Sequence, residues 1–317
     1  MVGEFDFIFG MRDAYSLAKV GDDCAVLPKD GDLDQLITAD LLVEHVDFEL
    51  NWTSPQALGH KALAVSLSDI AAMGGSPKWA LLSIGIPEKL WNMGFLDSFY
   101  AGWHALATEF DVELVGGDIS KSIHDLTIDS IVLGEVPKGR AILRSGARPG
   151  DSIYVTGSLG GAAGGLEVLR GQRNVEDSGD AAKRLIEKQL QPKPQLDMGK
   201  SLQQLGIATS MIDVSDGLSS DLRHICKASN VGAVIDADRL PVDPDLRAIF
   251  DATESLAMAV NGGEDFELLF TGSEDKVSAA NITGITRIGE ITSDKSGISL
   301  IDRGRTVKLE PRGYRHF

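Results

Sequence analysis

Apolar residues recur at helical spacing across residues 55–73. Leu58, Ala62, Val65, Asp69 and Ala72 share one stripe, and Leu63, Leu67 and Ile70 form a second. Ser54 suits the N-cap, Pro55 the first helical position and Gly74-Gly75 the stop, which predicts one helix of about five turns. A helix apolar around most of its circumference belongs in a core. Within residues 62–73 the single charged residue is Asp69. A buried, unpartnered carboxylate is strongly disfavoured or takes up a proton, so Asp69 requires a hydrogen-bonding partner or a cation.

The other periodicities are shorter. Residues 21–28 and 35–43 read as strands, the second ending in a loop with Glu44, His45 and Asp47. Residues 78–86 read as a strand, and 87–110 as a helix through Leu96, Phe99, Trp103, Leu106 and Phe110. Strands follow at 112–115 and 126–136. The order ββαβαββ predicts an α/β domain of α+β layers on a mixed or antiparallel sheet, not a doubly wound one. Pro, Gly and Arg then cluster over 136–151, placing a boundary near Gly139 between domains at 1–139 and 140–317. The second half alternates again: a strand at 152–156, a glycine-rich turn, a helix at 161–169, a polar stretch at 170–180 and two helices around Pro192. A strand at 208–213, a helix at 217–229 and strands at 233–236 and 266–271 complete it.

Charge narrows the function. The 317 residues carry a formal net charge of -17 and a pI near 4.7, which disfavours nucleic acid and anionic membranes as partners. An anionic substrate therefore needs cations as mediators. Two cysteines, Cys24 and Cys226, form neither a disulfide framework nor a zinc pattern, and Cys24 suits packing as a small apolar residue. With no basic leader at the start and no apolar run of membrane-spanning length, the expected location is the cytoplasm.

Aspartates recur where strands end or helices are buried: Asp22-Asp23, Asp40, Asp69, Asp118, and Asp213 with Asp216. One such residue is ordinarily a turn residue or cap. Several converging on one place repel unless hard cations sit among them, and an all-oxygen set without Cys or His points to magnesium rather than zinc. The segments GGD (116–118), GSLGGAAGG (157–165) and GGED (262–265) are each either tight turns or phosphate cradles. No standard nucleotide motif occurs, since Gly199-Lys200-Ser201 lacks the upstream glycine and reads as helix. The six histidines show no catalytic or metal-binding grouping and read as surface or packing residues.

Taken in order, GDDCAVL, TADLLVE, KALAVSLSDIAAMGGSPKWAL, ELVGGDISKS, RSGARPGDSIYVTGSLG, MIDVSDGLSSDL, NGGEDFELLFT and PRGYRHF resemble the thiamine-monophosphate kinase family almost end to end. Its superfamily also includes aminoimidazole ribonucleotide synthetase and selenophosphate synthetase. The resemblance implies an aminoimidazole-ribonucleotide-synthetase-like fold. The first domain would bind ATP and magnesium and pair into a homodimer, and the second would complete the cleft. It implies ATP-dependent, direct in-line phosphorylation of thiamine monophosphate to thiamine diphosphate. Asp23, Thr38, Asp40, Asp69, Asp118, Asp213 and Asp216 would form the Mg2+ set, with Asp69, Asp118 and Asp213 central to catalysis. Gly117, Asp118, Arg144 and Ser215 would contact ATP, and Asp47, Glu264 and Tyr314 the thiamine phosphate. Two positions depart from the family pattern: Ala39 stands where a second Ser or Thr is common, and Asp47 where a histidine is usual. Other enzymes of the superfamily, of the selenophosphate-synthetase or amide-forming type, are the alternative, as is a non-catalytic magnesium-nucleotide sensor.

Overall fold

The computed structural model describes residues 4–91, 93–171, 179–295, 297–310 and 312–314. Its first half runs α1 (Glu4–Tyr15), β1 (Ala25–Pro28), β2 (Leu33–Val43), α2 (Pro55–Ala72), β3 (Ser76–Pro87), α3 (Met93–Glu109), β4 (Glu113–Ser122) and β5 (Thr127–Pro137). The second half begins with β6 (Ser152–Thr156), α4 (Gly161–Leu169), α5 (Gly179–Leu190), α6 (Leu196–Leu205), β7 (Ser210–Asp213) and α7 (Leu218–Ser229). It ends with β8 (Gly232–Asp236), α8 (Ala252–Asn261), β9 (Leu268–Gly272), α9 (Glu274–Ala279), β10 (Ile285–Thr292), β11 (Ile298–Asp302) and β12 (Arg305–Leu309). Two mixed sheets result, ordered β1-β2-β5-β3-β4 and β12-β11-β8-β10-β6-β9-β7.

Helix α2 begins as its sequence predicts, with Ser54 Oγ accepting from Ala57 N at 3.1 Å and Gly74 in the left-handed region at φ +68° after its last turn. It is buried nearly all round because each side meets a different layer: its own sheet at β2 and β5, α3, and α6 and β7 of the second half. Gly199 of α6 permits the close approach of α6, since a Cβ there would lie 2.1 Å from the Ala71 carbonyl oxygen. The Gly-Lys-Ser triplet is thus a helix-packing feature. The hydrophobic core is accordingly continuous between the halves, running from Leu63 and Leu67 to Met211 and Phe270.

Several elements differ from the sequence expectation. The helix foreseen from residue 87 begins at Met93. Pro87 closes β3, and a short 3-10 turn over Glu88–Leu90 ends where Trp91 leaves helical geometry at ψ 73°. The strand foreseen at 112–115 continues to Ser122, because β4 stays paired with β3 through Gly116, Gly117 and Asp118 past a bulge at Val115. Residues 116–118 are therefore edge strand, not a turn. Gly117 is required there because a Cβ would meet the Leu82 carbonyl oxygen at 1.9 Å. Helices α1, α8 and α9 and strands β10–β12 have no counterpart in the sequence expectation.

Candidate active site

Strand β2 presents Thr38 and Asp40, two residues apart, toward the helix layer, and α2 answers with Ser66 and Asp69 one turn apart. Each carboxylate receives a hydroxyl. Ser66 donates to Asp40 at 2.7 Å, Ser68 to Asp213 at the end of β7 at 2.6 Å, and Thr38 to Asp69. Asp23, in the loop before β1, completes a trio with Asp69 and Asp213 whose carboxylate oxygens lie within 4.8 Å of one another. Arg144 from the segment between the halves supplies the counter-charge. Its Nε and Nη2 donate to Asp23 Oδ1 at 3.1 and 2.5 Å, and its backbone N–H donates to Asp22.

Burial dominates the electrostatics. It raises Asp69 well above the usual carboxylate range, with Asp40, Asp213 and Asp23 adding repulsion. Burial and then the Asp23 charge push Asp213 up to about 7, and burial and then Asp129 bring Asp40 to about 6. Cys24, buried beside these acids, has its thiol pushed well up by burial and then by Asp69. It is an inert packing residue, as its apolar context predicts.

Asp40 also forms part of the wall of a cleft of about 800 Å³, shared with Asp47, Ser215, Asp216, Glu264 and Tyr314. The cleft lies between the halves. The left-handed Glu264, at φ +65°, donates its backbone N–H to Ser215 O at 2.8 Å, and Tyr314 N–H donates to Asp216 O at 3.1 Å. The segment bearing Glu264 and the chain end bearing Tyr314 thus dock on the turn after β7. Pro311 and residues 315–317 of the PRGYRHF tail lie outside the described residues, as do residues 172–178 of the polar stretch.

Most of the nominated residues therefore gather in two adjoining groups: Asp23, Thr38, Asp40, Asp69, Asp213 and Arg144 in one, and the cleft residues in the other. Gly117 and Asp118 do not join them. Asp118 is exposed on β4 and pairs in register with Ser83, beyond which lie Asp129 of β5 and Leu41 of β2. Three strand spacings, roughly 14 Å, separate it from the β2 row. Ala39 faces away from Thr38 and Asp40, on the outer side of the sheet, so a hydroxyl at that position would not point into this chain's cluster. His224 is largely buried beside two acids. It groups with Asp216 and Asp221 within 4.8 Å, and burial, then nearby Arg144, lowers it to about 4. The glycine-rich turn before α4 is no phosphate cradle: Asp265 accepts from Gly160 N at 2.6 Å and Ala162 N at 3.1 Å, taking the donors a phosphate would need.

The two halves match successive parts of one family. Residues 21–136 fit the AIR synthase related protein, N-terminal domain, and 148–302 its C-terminal domain. The thiamine-monophosphate kinase of Escherichia coli K12 is 41% identical over 329 aligned positions, covering 99% of this chain and 98% of the relative. That of Bacillus subtilis is 36% identical, covering 94% and 93%. The chain belongs to the thiamine-monophosphate kinase family. Its fold is also that of the structure "AaThiL complexed with AMPPCP and TMP", at a TM-score of 0.89 and 34% identity, covering 100% of this chain and 97% of that one.

Within this family framework, four residues escaped the sequence reading. Ser66 and Ser68 have a visible signal, two hydroxyls in an otherwise apolar run. Lys61 and Gln189, both buried in the cleft wall, have none, because a lone Lys or Gln beside a helix's apolar stripe reads as solvent-facing.

Proposed function

We propose that this protein transfers the γ-phosphoryl group of ATP directly to thiamine monophosphate, giving thiamine diphosphate and ADP, with Mg2+ in the acidic cluster and two copies forming the working unit. The activity is supported by the shared name of relatives matched over nearly their whole length and by a 34% identical structure solved with AMPPCP and TMP. The observation that carries the reading is Asp40. It belongs at once to the acidic cluster and to the cleft wall, so phosphates held at the cluster would meet an acceptor lying in the cleft.

Magnesium fits the residues present. Asp23 Oδ2 is buried without a hydrogen-bond partner among the described residues, and the carboxylates around it, if ionised, would repel by about 3.5 kcal/mol per pair at an effective dielectric of 20. An all-oxygen set of this kind suits a hard divalent cation. Asp23, Thr38, Asp40, Asp69 and Asp213 would hold it, with Asp216 on the cleft side. Bound there, Mg2+ would screen the two polyanions and stabilise charge on the transferring group. Arg144 would add charge-assisted contacts to phosphate oxygens, Ser215 would contact ATP, and Asp47, Glu264 and Tyr314 would hold the thiamine. The acceptor phosphate has a second pKa near 6 and is already a dianionic nucleophile at neutral pH, so the chain needs no general base.

The first sheet supports the homodimer. One face packs on α2, while the other carries Ile37, Leu41, Trp79, Leu81 and Ile131; Leu41 is 60% exposed, and Val115 on edge strand β4 is 52% exposed. A second copy covering this face would bury them. Because Asp118 lies far from its own cluster, it and Gly117 would serve the neighbouring copy's site. Residues 1–139 would thus provide both the metal site and the dimer face, and residues 140–317 would complete the cleft. The test is to supply ATP, Mg2+ and thiamine monophosphate and to quantify thiamine diphosphate and ADP. Equal amounts of both, formed only with all three present, are expected. ADP release independent of thiamine monophosphate rejects the reading.

A further inference from the structure

Lys61 precedes Asp69 by just over two turns of α2, and its side chain is only 3% exposed. Burying an ammonium is strongly unfavourable without an opposite charge and hydrogen-bond acceptors. Lys61 Nζ finds both, lying 2.7 Å from Glu264 Oε1 and donating to the Gln189 backbone oxygen at 3.3 Å. The second oxygen of Glu264 accepts from the Gln189 side-chain amide. That amide is itself constrained, because its own oxygen is left buried without a partner among the described residues. Glu264 meanwhile holds a left-handed backbone, φ +65°, a conformation that costs a residue other than glycine roughly 1 to 2 kcal/mol.

A buried ammonium, an orphaned amide oxygen and a strained glutamate are each disfavoured alone. Together they do one thing: they clamp a single carboxylate from two sides, one contact on each oxygen. Each oxygen keeps further acceptor capacity, and the Glu264 side chain, 29% exposed, forms part of the cleft wall. An immobilised acceptor of this kind recognises an N–H donor with little ordering cost on binding. The donor that thiamine monophosphate offers is the exocyclic amine of its aminopyrimidine.

We infer that Lys61 and Gln189 are positioning residues that fix Glu264 to accept from the substrate's pyrimidine amine, and so set selectivity for the aminopyrimidine. This rests on the reading of Glu264 as a thiamine contact.

The experiment compares Lys61→Met, Gln189→Leu, Glu264→Gln and the double variant Lys61→Met/Glu264→Gln as full chains with saturating Mg2+. It measures kcat, both Michaelis constants, and the preference for thiamine monophosphate over its 4-oxo analogue. Lys61→Met and Gln189→Leu are each expected to raise the thiamine monophosphate KM by about tenfold, the effect of losing one fixed hydrogen bond of about 1.4 kcal/mol. The preference for the amine should fall by a similar factor, with the ATP KM and kcat within about twofold. In the Glu264→Gln background, Lys61→Met should add almost nothing. Fully additive effects, a raised ATP KM, or a fallen kcat with unchanged thiamine monophosphate KM overturns the inference. If Glu264→Gln leaves that KM at the wild-type value, the thiamine-contact reading itself fails. If Glu264→Gln raises it while Lys61→Met and Gln189→Leu do not, only the positioning role fails. Gln189→Leu strands no buried charge, so it decides the question should Lys61→Met not fold.

Discussion

The acidic cluster makes the metal-free protein lose stability as pH rises. Asp213 titrates at about 7 in the fold and Asp40 at about 6, against 3.8 for an ordinary aspartate. A carboxyl with a raised folded pKa binds its proton more tightly in the native state. Its penalty is absent below about pH 3.8, grows by about 1.4 kcal/mol per pH unit as the unfolded chain alone ionises, and levels off above the folded pKa. Between pH 5 and 8, Asp213 therefore withdraws about 3 kcal/mol and Asp40 about 1 kcal/mol. At about 2 to 4 °C per kcal/mol, these two groups alone should lower the first thermal transition in EDTA by roughly 8 to 16 °C across that range, and Asp265, also raised to about 7, acts in the same direction. In Asp213→Asn the amide oxygen still accepts from Ser68, but the titration is gone. This variant should lose the Asp213 share of the slope, about 3 kcal/mol between pH 5 and 8, and melt above wild type at pH 8. Magnesium should restore the pH 8 melting temperature of the wild type and do little for the variant. Thermal melts by circular dichroism at pH 5, 6, 7 and 8, with EDTA or Mg2+, provide the measurement. A wild-type melting temperature that holds steady or rises with pH in EDTA, or an Asp213→Asn chain less stable than wild type at pH 8, refutes the reasoning.

Asp69→Asn should lower turnover by about a thousandfold with the fold intact by circular dichroism; unaltered magnesium-dependent activity would remove Asp69 from the metal set. Tyr314, 47% exposed at the cleft wall, would offer an aromatic face to a flat pyrimidine and a cationic thiazolium. Tyr314→Ala should weaken thiamine monophosphate by up to about thirtyfold and leave the ATP KM unchanged, and equal shifts in both constants would make it a structural residue. Leu41→Lys with Val115→Lys should convert a dimer to a monomer by light scattering at micromolar concentration and abolish activity with it. A monomeric wild type contradicts the proposed assembly.

Helix α2 was legible because three independent signals agreed: the spacing of its apolar residues, a Ser-Pro start and a Gly-Gly stop. Strand β4 was cut short for the opposite reason. Glycine argues against strand in isolation, yet Gly117 is where the backbone of β3 comes too close for a side chain, and that constraint exists only once the sheet is assembled. Strands β10–β12 carry short, half-polar stretches whose partners are remote in sequence: β10 lies between β6 and β8, and β11 runs parallel to β8. Nothing local announces such pairings. For α1, the alternation of Phe with Asp and Ile before Gly10 fits neither period cleanly.

The site divides along the same line. Aspartates announce themselves when they interrupt apolar runs, so the members of the cluster could be nominated one by one. Which of them meet depends on the layers, and here α2 decides, because it touches both halves and gathers Asp40 of β2 and Asp213 of β7 around Asp69, with Ser66 and Ser68 donating to them. The same helix buries Lys61 against Glu264, a pairing between residues 203 positions apart that no local pattern encodes. A lysine ahead of a greasy stripe ordinarily snorkels to solvent; this one cannot, since its stripe has no solvent side. Asp118 shows the converse case. Its motif resembles that of the other acids, but its strand lies at the far edge of the sheet, so a shared motif does not by itself bring a residue into the cluster of its own chain.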